Sequence, residues 1–122
     1  MTVTQREIAE AFASHRFDLV FPYLADDIRW NLVGAPPVLG RAAVVAACEQ
    51  STAELAGVTT TFDRFKVVAD DDTVVVDSIG RYVEPAGGES VVSSCDIYEF
   101  AGHTLAAITT YAVELDGSSG PA

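Results

Sequence analysis

Residues 73–100 read Thr73-Val-Val-Val-Asp-Ser-Ile-Gly-Arg-Tyr-Val-Glu84, then Pro85-Ala-Gly-Gly-Glu89, then Ser90-Val-Val-Ser-Ser-Cys-Asp-Ile-Tyr-Glu-Phe100. The two outer segments are rich in valine, isoleucine and aromatic residues, which favour strands. Between them, Gly87-Gly88 suits the positive φ angles of a hairpin turn. We therefore predict two antiparallel strands about 11 residues long, and a sheet of such strands must twist and coil.

Outward from this hairpin, the chain carries helical patterns first and strand patterns after. Thr4-Gln5-Arg6-Glu7 has the form of a capping box, and apolar residues follow it at helical spacing. The remaining predicted elements are helices at Val3–Ser14, Phe17–Leu24 and Arg41–Leu55, and strands at Ile28–Val33, Val58–Ala69 and Leu105–Leu115. Helices followed by consecutive hairpins give an α+β fold of one domain over residues 1–115, with a flexible tail over residues 116–122.

The bulk composition limits the classes of protein to consider. The chain has 122 residues, 49% of them apolar, and a net charge of −11 from 18 acidic and 7 basic residues. This charge argues against nucleic-acid partners and anionic membranes. The N-terminus lacks the pattern of a signal peptide and no apolar run is long enough to span a bilayer, so a cytoplasmic location is expected. Cys48 and Cys95 are expected to be free thiols.

Strand alternation points to one acidic residue on the inner face of the sheet. Asp96 shares a face with Tyr98 and Phe100, which need burial more than Glu99 on the opposite face does. A two-residue turn at Gly87-Gly88 would place Ser94 opposite Arg81, Asp96 opposite Ile79, and Tyr98 opposite Asp77. A one-residue slip would instead bring Ser78, Gly80 and Tyr82 to that face.

The expected surroundings of Asp96 give it two alternative roles. In an apolar pocket the pKa of a carboxyl rises, and the group can then exchange a proton near neutral pH. Alternatively, Asp96, Asp77 and Arg81 form a buried ion-pair network that shapes the sheet. Trp30 is expected in the core or at the pocket rim, and Asn31 either orients a ligand or holds a loop. His15, at the end of the first helix, has a sufficient role in stabilising that helix terminus.

Several segments together resemble the nuclear transport factor 2-like superfamily, and in particular its SnoaL-like group. They are Leu24-Ala-Asp-Asp-Ile28 leading into Trp30-Asn31, Gly34-Ala-Pro-Pro-Val-Leu-Gly-Arg41, and Cys95-Asp-Ile-Tyr-Glu-Phe100 followed by residues 105–111. The resemblance covers residues 7–115. It implies a cone-shaped curved antiparallel sheet packed by three N-terminal helices and enclosing a pocket. It also implies a homodimer through the outer sheet face.

The resemblance carries the family's functional residues over unevenly. Asp96 matches the aspartic acid that donates a hydrogen bond to the substrate oxygen in ketosteroid isomerases. The general base of those enzymes falls at Asn31, and their oxyanion-hole tyrosine falls near Glu10. The triad of the epoxide hydrolases is also missing, since the strand with Asp77 reads Asp77-Ser-Ile-Gly-Arg81 and the last strand has no aspartate. The chain therefore keeps one central acid, Asp96, but none of these known catalytic sets is complete.

These observations lead to two functional hypotheses. The first is a cofactor-independent isomerase, cyclase, dehydratase or hydrolase that acts on a small, apolar, oxygen-bearing molecule with Asp96 as general acid or base. The predicted catalytic residues are Asp96, Asn31 and Asp77, and the predicted ligand contacts are Trp30, Tyr98, Arg81, Ile79, Ile108 and Thr110. The second is a binding or interaction domain without chemistry. The sequence has no histidine cluster and no nucleotide-binding motif, so we expect no metal and no other cofactor.

Overall fold

The computed structural model describes residues 3–115, so the flexible tail expected over residues 116–122 lies outside the described residues. Helix α1 spans Gln5–Ala13 and helix α2 spans Arg41–Glu54. The predicted middle helix is instead two 3₁₀ turns, Phe17–Leu19 and Phe21–Tyr23. Pro22 lacks a backbone N–H, which prevents a continuous helix through this segment. None of the described helices is long and apolar enough to cross a membrane.

The predicted capping box at the start of α1 is confirmed. The Glu7 backbone N–H donates to Thr4 Oγ1 at 3.1 Å, and the Thr4 backbone N–H donates to Glu7 Oε1 at 3.0 Å. Both donors would otherwise lack partners at a helix terminus. The helix buries Ile8 and Phe12 against the sheet.

The curved sheet has six strands. The strands are β1 Leu24–Leu32, β2 Val38–Leu39, β3 Thr59–Asp70, β4 Thr73–Val83, β5 Glu89–Ala101 and β6 Thr104–Leu115. They lie in the order β2-β1-β6-β5-β4-β3. The sheet is mixed, because one pair of strands is parallel, and unclosed, because β2 and β3 form its two edges. The fold is therefore the predicted α+β class, with helices against a curved sheet. The short strand β2 was not predicted.

One pairing corrects the expectation of a wholly antiparallel sheet. β1 runs parallel to β6, with Trp30 opposite Ile108 and Asn31 opposite Thr109. A short hairpin forces its two strands to be antiparallel, whereas β1 and β6 are separated by most of the chain. Local turn patterns therefore did not specify their relative direction.

The register of β4 against β5 corrects a second expectation. Val83 lies opposite Glu89, so the connection is the five-residue loop 84–88, not a two-residue turn. The Gly87 N–H donates to the Glu84 carbonyl, and the Glu84 N–H donates to the Gly88 carbonyl, which closes this longer loop. Gly87 has a φ of +97°, where its lack of Cβ avoids strain.

This register moves every predicted β4 partner to the opposite face of the sheet. Asp96 is opposite Val76, and Tyr98 is opposite Val74. Asp77, Ile79 and Arg81 therefore lie on the outer face, because a shift by an odd number of residues reverses the side on which side chains project. The inner face of β4 carries Val74, Val76, Ser78, Gly80 and Tyr82.

The core lies between α1 and the inner face of the sheet. Its largest fully buried side chains include Ile8, Ile28, Tyr98, Leu105 and Ile108. The Phe12 ring packs edge-on against its aromatic neighbours in this layer. The helix end and the inner face of the sheet thus fix the side chains around an adjoining pocket.

Candidate functional site

A pocket of about 280 Å³ lies where the ends of α1 and α2 face the inner surface of the sheet. Its apolar lining residues are Phe12, Ala13, Phe17, Trp30 and Leu55. Its polar lining residues are His15, Ser51, Glu54, Tyr82, Ser94, Asp96 and Thr110. Although polar residues outnumber apolar ones, most of the lining surface is apolar. A mostly apolar concavity with a few convergent polar groups is the usual form of a small-molecule site.

Asp96 is the buried acid of this pocket. The residue is 9% exposed, and burial raises the pKa of its carboxyl. Tyr98 Oη donates a hydrogen bond to Asp96 Oδ2 at 3.2 Å. The neighbouring Thr110 hydroxyl and the Tyr98 hydroxyl each lower the pKa of the carboxyl, and so oppose the larger effect of burial.

Thr110 connects Asp96 to the indole of Trp30. Thr110 lies directly opposite Asp96 on β6, and Trp30 Nε1 donates to Thr110 Oγ1 at 2.9 Å. An indole N–H can only donate, so the threonine oxygen must accept there. The threonine hydrogen is then free to point at the carboxyl. Trp30 thereby orients a hydroxyl that stabilises the Asp96 anion.

His15 and Tyr82 form a second polar group in the same pocket. His15 Nε2 lies 2.9 Å from Tyr82 Oη, and the imidazole packs between the rings of Phe17 and Phe62. His15 has a φ of +67°, an uncommon backbone conformation for a residue other than glycine. Burial lowers the pKa of His15, so the ring is neutral near pH 7.

The sequence did not reveal this second group, for a different reason at each member. His15 directly follows the last turn of α1, where a histidine can stabilise the helix terminus. Tyr82 comes to the inner face only in the register that differs from the one predicted. The alternation of β4 does place Tyr82 with Gly80 and Ser78 once that register is known.

Asn31 does not belong to the pocket. It lies on the opposite face of β1 from Trp30, and its Oδ1 accepts a hydrogen bond from Arg29 Nε at 2.5 Å. Successive residues of a strand project to opposite faces, so the two neighbours cannot both face the ligand space. The prediction that Asn31 orients a ligand beside Trp30 is therefore wrong.

Asp77 and Arg81 are engaged in ion pairs on the outer face. Arg64 Nη2 lies 2.7 Å from Asp77 Oδ2. Arg81 pairs with Asp63 at 2.7 Å and also with Glu89. The alternative of a buried network joining these two residues to Asp96 is therefore wrong, and so is the placement of Arg81, Asp77 and Ile79 at the ligand.

The remaining predicted contacts lie on the inner face at different depths. Trp30 and Thr110 line the pocket. Tyr98 and Ile108 are fully buried in the core, with Tyr98 beneath Asp96. Residues 3–115 contain no group of three or more histidine, cysteine, aspartate or glutamate side chains that could hold a metal ion.

The model of the SnoaL-like domain family matches residues 5–108 of the chain. This protein belongs to the SnoaL-like family. No curated protein matches the chain significantly. Among solved structures, a nuclear transport factor 2-like protein of unknown function from Cytophaga hutchinsonii is 35% identical to this SnoaL-like protein. The match has a TM-score of 0.76 and covers 87% of this chain and 93% of the other.

Two more distant structures share the fold alone. A nuclear transport factor 2-like protein from Anabaena variabilis is 11% identical, with a TM-score of 0.72 and coverage of 96% of both chains. The epoxide hydrolase/cyclase-like enzyme SalBIII, with a role in pyran ring formation in the polyether salinomycin, is 16% identical. Its TM-score is 0.65, with 87% of each chain covered. The curved sheet and its helices are thus preserved across very different sequences.

Proposed function

We propose that this SnoaL-like protein is a cofactor-independent enzyme that transfers a proton to or from a small, apolar, oxygen-bearing molecule through Asp96. The observation that carries the proposal is the Asp96 carboxyl, which is buried in a mostly apolar pocket and yet retains access to that pocket. A general acid or base works best when its pKa is near the working pH, and burial moves an aspartate in that direction.

Two hydroxyls give Asp96 the opposing stabilisation that an acid–base group needs. The Tyr98 and Thr110 hydroxyls favour the anion, while burial, the larger effect, favours the neutral acid. A carboxyl under both influences is suited to take up and release a proton. In this proposal Asp96 exchanges the proton, Trp30 fixes Thr110, and the apolar wall holds the body of the ligand.

The proposed reaction class takes from the structural relatives only the general type of chemistry. SalBIII is an epoxide hydrolase/cyclase-like enzyme, and its fold matches over 87% of this chain. Ring closure, ring opening and double-bond migration all need a proton moved at an oxygen or at a carbon beside one. A single buried carboxyl supplies that step without a metal. We therefore propose an isomerase, cyclase, dehydratase or hydrolase reaction of this acid–base type.

The decisive experiment compares Asp96→Asn with Asp77→Asn. Wild type is incubated with a panel of apolar epoxides, β,γ-unsaturated ketones and β-hydroxyketones, and turnover is followed by mass spectrometry. We expect Asp96→Asn to reduce turnover by about 10²–10⁴-fold, the usual contribution of a placed proton-transfer group. Asp77→Asn is the matched control, because Asp77 is an aspartate on the outer face.

Full activity of a folded Asp96→Asn variant would overturn the proposal. So would an equal loss in Asp77→Asn, since Asp77 lies on the other side of the sheet. Circular dichroism of each variant separates lost chemistry from lost folding.

A binding protein without chemistry is the alternative, and one observation favours it. Among the described residues, every buried polar side-chain atom already has a hydrogen-bond partner. No buried polar atom in this part of the chain is thus left unpaired to await a reacting group, as expected of a pocket that binds without chemistry. Native mass spectrometry distinguishes the two, because a ligand recovered unchanged after long incubation with wild type indicates binding alone.

A further inference from the structure

The pocket has two polar ends rather than one. Asp96 lies opposite Val76 on β4, whereas Tyr82 lies six residues farther along the same strand. The Tyr82 ring leans back over Gly80, so its hydroxyl comes to about the level of Gly80. Four residues of extended strand rise about 13 Å, so the two groups face the pocket from different levels of the strand. They remain within electrostatic range of each other, since burial first and then the Asp96 carboxylate raise the pKa of Tyr82.

Gly80 makes room for the far end. A Cβ built on Gly80 would lie 2.7 Å from Tyr82 Oη and 3.0 Å from two carbons of its ring. A Cβ atom does not approach other heavy atoms this closely, so the ring occupies space that only glycine leaves free. Gly80 therefore permits the position in which Tyr82 reaches His15.

The chemistry of the far end suits a neutral oxygen. The imidazole is neutral, because burial lowers the pKa of His15, and the phenol is protonated, because burial raises the pKa of Tyr82. Together they offer a ligand both a donor and an acceptor. Among the described lining residues there is no lysine or arginine, while Glu54 and Asp96 are acidic. A carboxylate or phosphate ligand would therefore be repelled.

We propose that His15 and Tyr82 form a second ligand anchor, and that the ligand is a neutral, elongated apolar molecule with an oxygen function at each end. Asp96 binds one oxygen, and the His15–Tyr82 pair binds the other. The inference rests on the proposed function only because both concern the same pocket. Its test measures binding, whereas the test of the proposed function measures turnover. The simpler role of the pair, a tie between α1 and the sheet, predicts no effect on ligand choice.

The test compares two probes that differ in one hydroxyl, 2-naphthol and 2,6-dihydroxynaphthalene. The hydroxyls of the diol lie at opposite ends of a rigid apolar body, so one can form a hydrogen bond to Asp96 while the other forms one to the His15–Tyr82 pair. Dissociation constants are measured by calorimetric titration at pH 7. We expect wild type to prefer the diol by about fivefold, the contribution of one neutral hydrogen bond.

Three variants disrupt the far end in different ways. Tyr82→Phe removes the hydroxyl. His15→Asn keeps a residue that tolerates positive φ but is too short to reach Tyr82. Gly80→Ala displaces the Tyr82 ring without removing a polar group. Each should bring the diol preference close to one, whereas Tyr111→Phe on the outer face should keep it.

Three outcomes would overturn the inference. They are equal affinities of the two probes for wild type, a preserved preference in folded Tyr82→Phe, and no binding of either probe at millimolar concentration. Failure of the proposed function is recognised separately, since a diol preference that depends on Tyr82 can persist when Asp96→Asn leaves turnover unchanged.

Discussion

At the residue scale, Asp96 couples the pocket to folding stability. Burial raises the pKa of Asp96 above its usual value, so the folded protein binds a proton more tightly than the unfolded chain does. Stability then falls as pH rises from the unfolded pKa through the folded one. We expect wild type to lose stability with rising pH across this window relative to Asp96→Asn, whose amide does not titrate.

Urea unfolding of both proteins from pH 3 to pH 8 measures this difference. Asp77→Asn is again the control, because Asp77 is half-exposed on the outer face. A stability difference between wild type and Asp96→Asn that stays constant with pH would contradict the prediction. It would mean that the two donated hydroxyl bonds fully offset burial.

At the same scale, strand alternation alone was enough to predict that Asp96 lies on the inner face of the sheet. The prediction required only that Tyr98 and Phe100 be buried and that Glu99 be exposed. Asn31 was expected to orient a ligand or hold a loop because it follows Trp30 near the end of the first strand. Trp30 takes the inward position, so Asn31 projects to the other face. Strand alternation, applied to this pair as it was to Asp96, separates the two residues.

At the element scale, the capping box of α1 gives a measurable contribution to stability. Thr4→Ala removes the side-chain acceptor for the Glu7 N–H, and we expect it to destabilise the protein by about 1 kcal/mol. Thr4→Ser and Glu7→Gln keep the pattern and should change stability by much less. Thermal or urea unfolding of the three variants checks this, and similar losses in all of them would contradict a capping role.

The elements differ in how far the sequence determines them. Both α-helices and the five long strands follow from local periodicity, caps and glycines. The register between β4 and β5 does not, because Pro85-Ala-Gly-Gly-Glu89 fits hairpin loops of several lengths. A shift of an odd number of residues then exchanges the two faces. This exchange explains why Asp77, Ile79 and Arg81 were predicted at the ligand. Tyr82 was assigned to that face only for a slipped register, together with Ser78 and Gly80.

At the scale of the whole molecule, the outer face of the sheet exposes apolar side chains. Tyr111 is 50% exposed, Val113 is 62% exposed and Val68 is 52% exposed. Large apolar side chains exposed on one face of a small protein can mark an interface. We propose that two copies of this SnoaL-like protein associate through this face.

Light scattering after size exclusion tests that association. Val113→Asp introduces a charge into the face and should shift the mass from two chains toward one. Leu19→Asp is a matched control, since Leu19 is 53% exposed but lies on a 3₁₀ turn away from the sheet face. A wild type with the mass of a single chain at tens of micromolar would contradict the proposal.

The position of β6 between β1 and β5 has a consequence for how the protein is made. β6 is the last described strand to leave the ribosome, yet β1 and β5 both pair with it. A nascent chain without β6 has two unpaired strand edges, and Asp96 lacks its Thr110 neighbour. Non-local pairing of this kind is slow to form. We expect the pocket to form only after β6 has been synthesised, and until then the unpaired edges of β1 and β5 are open to aggregation.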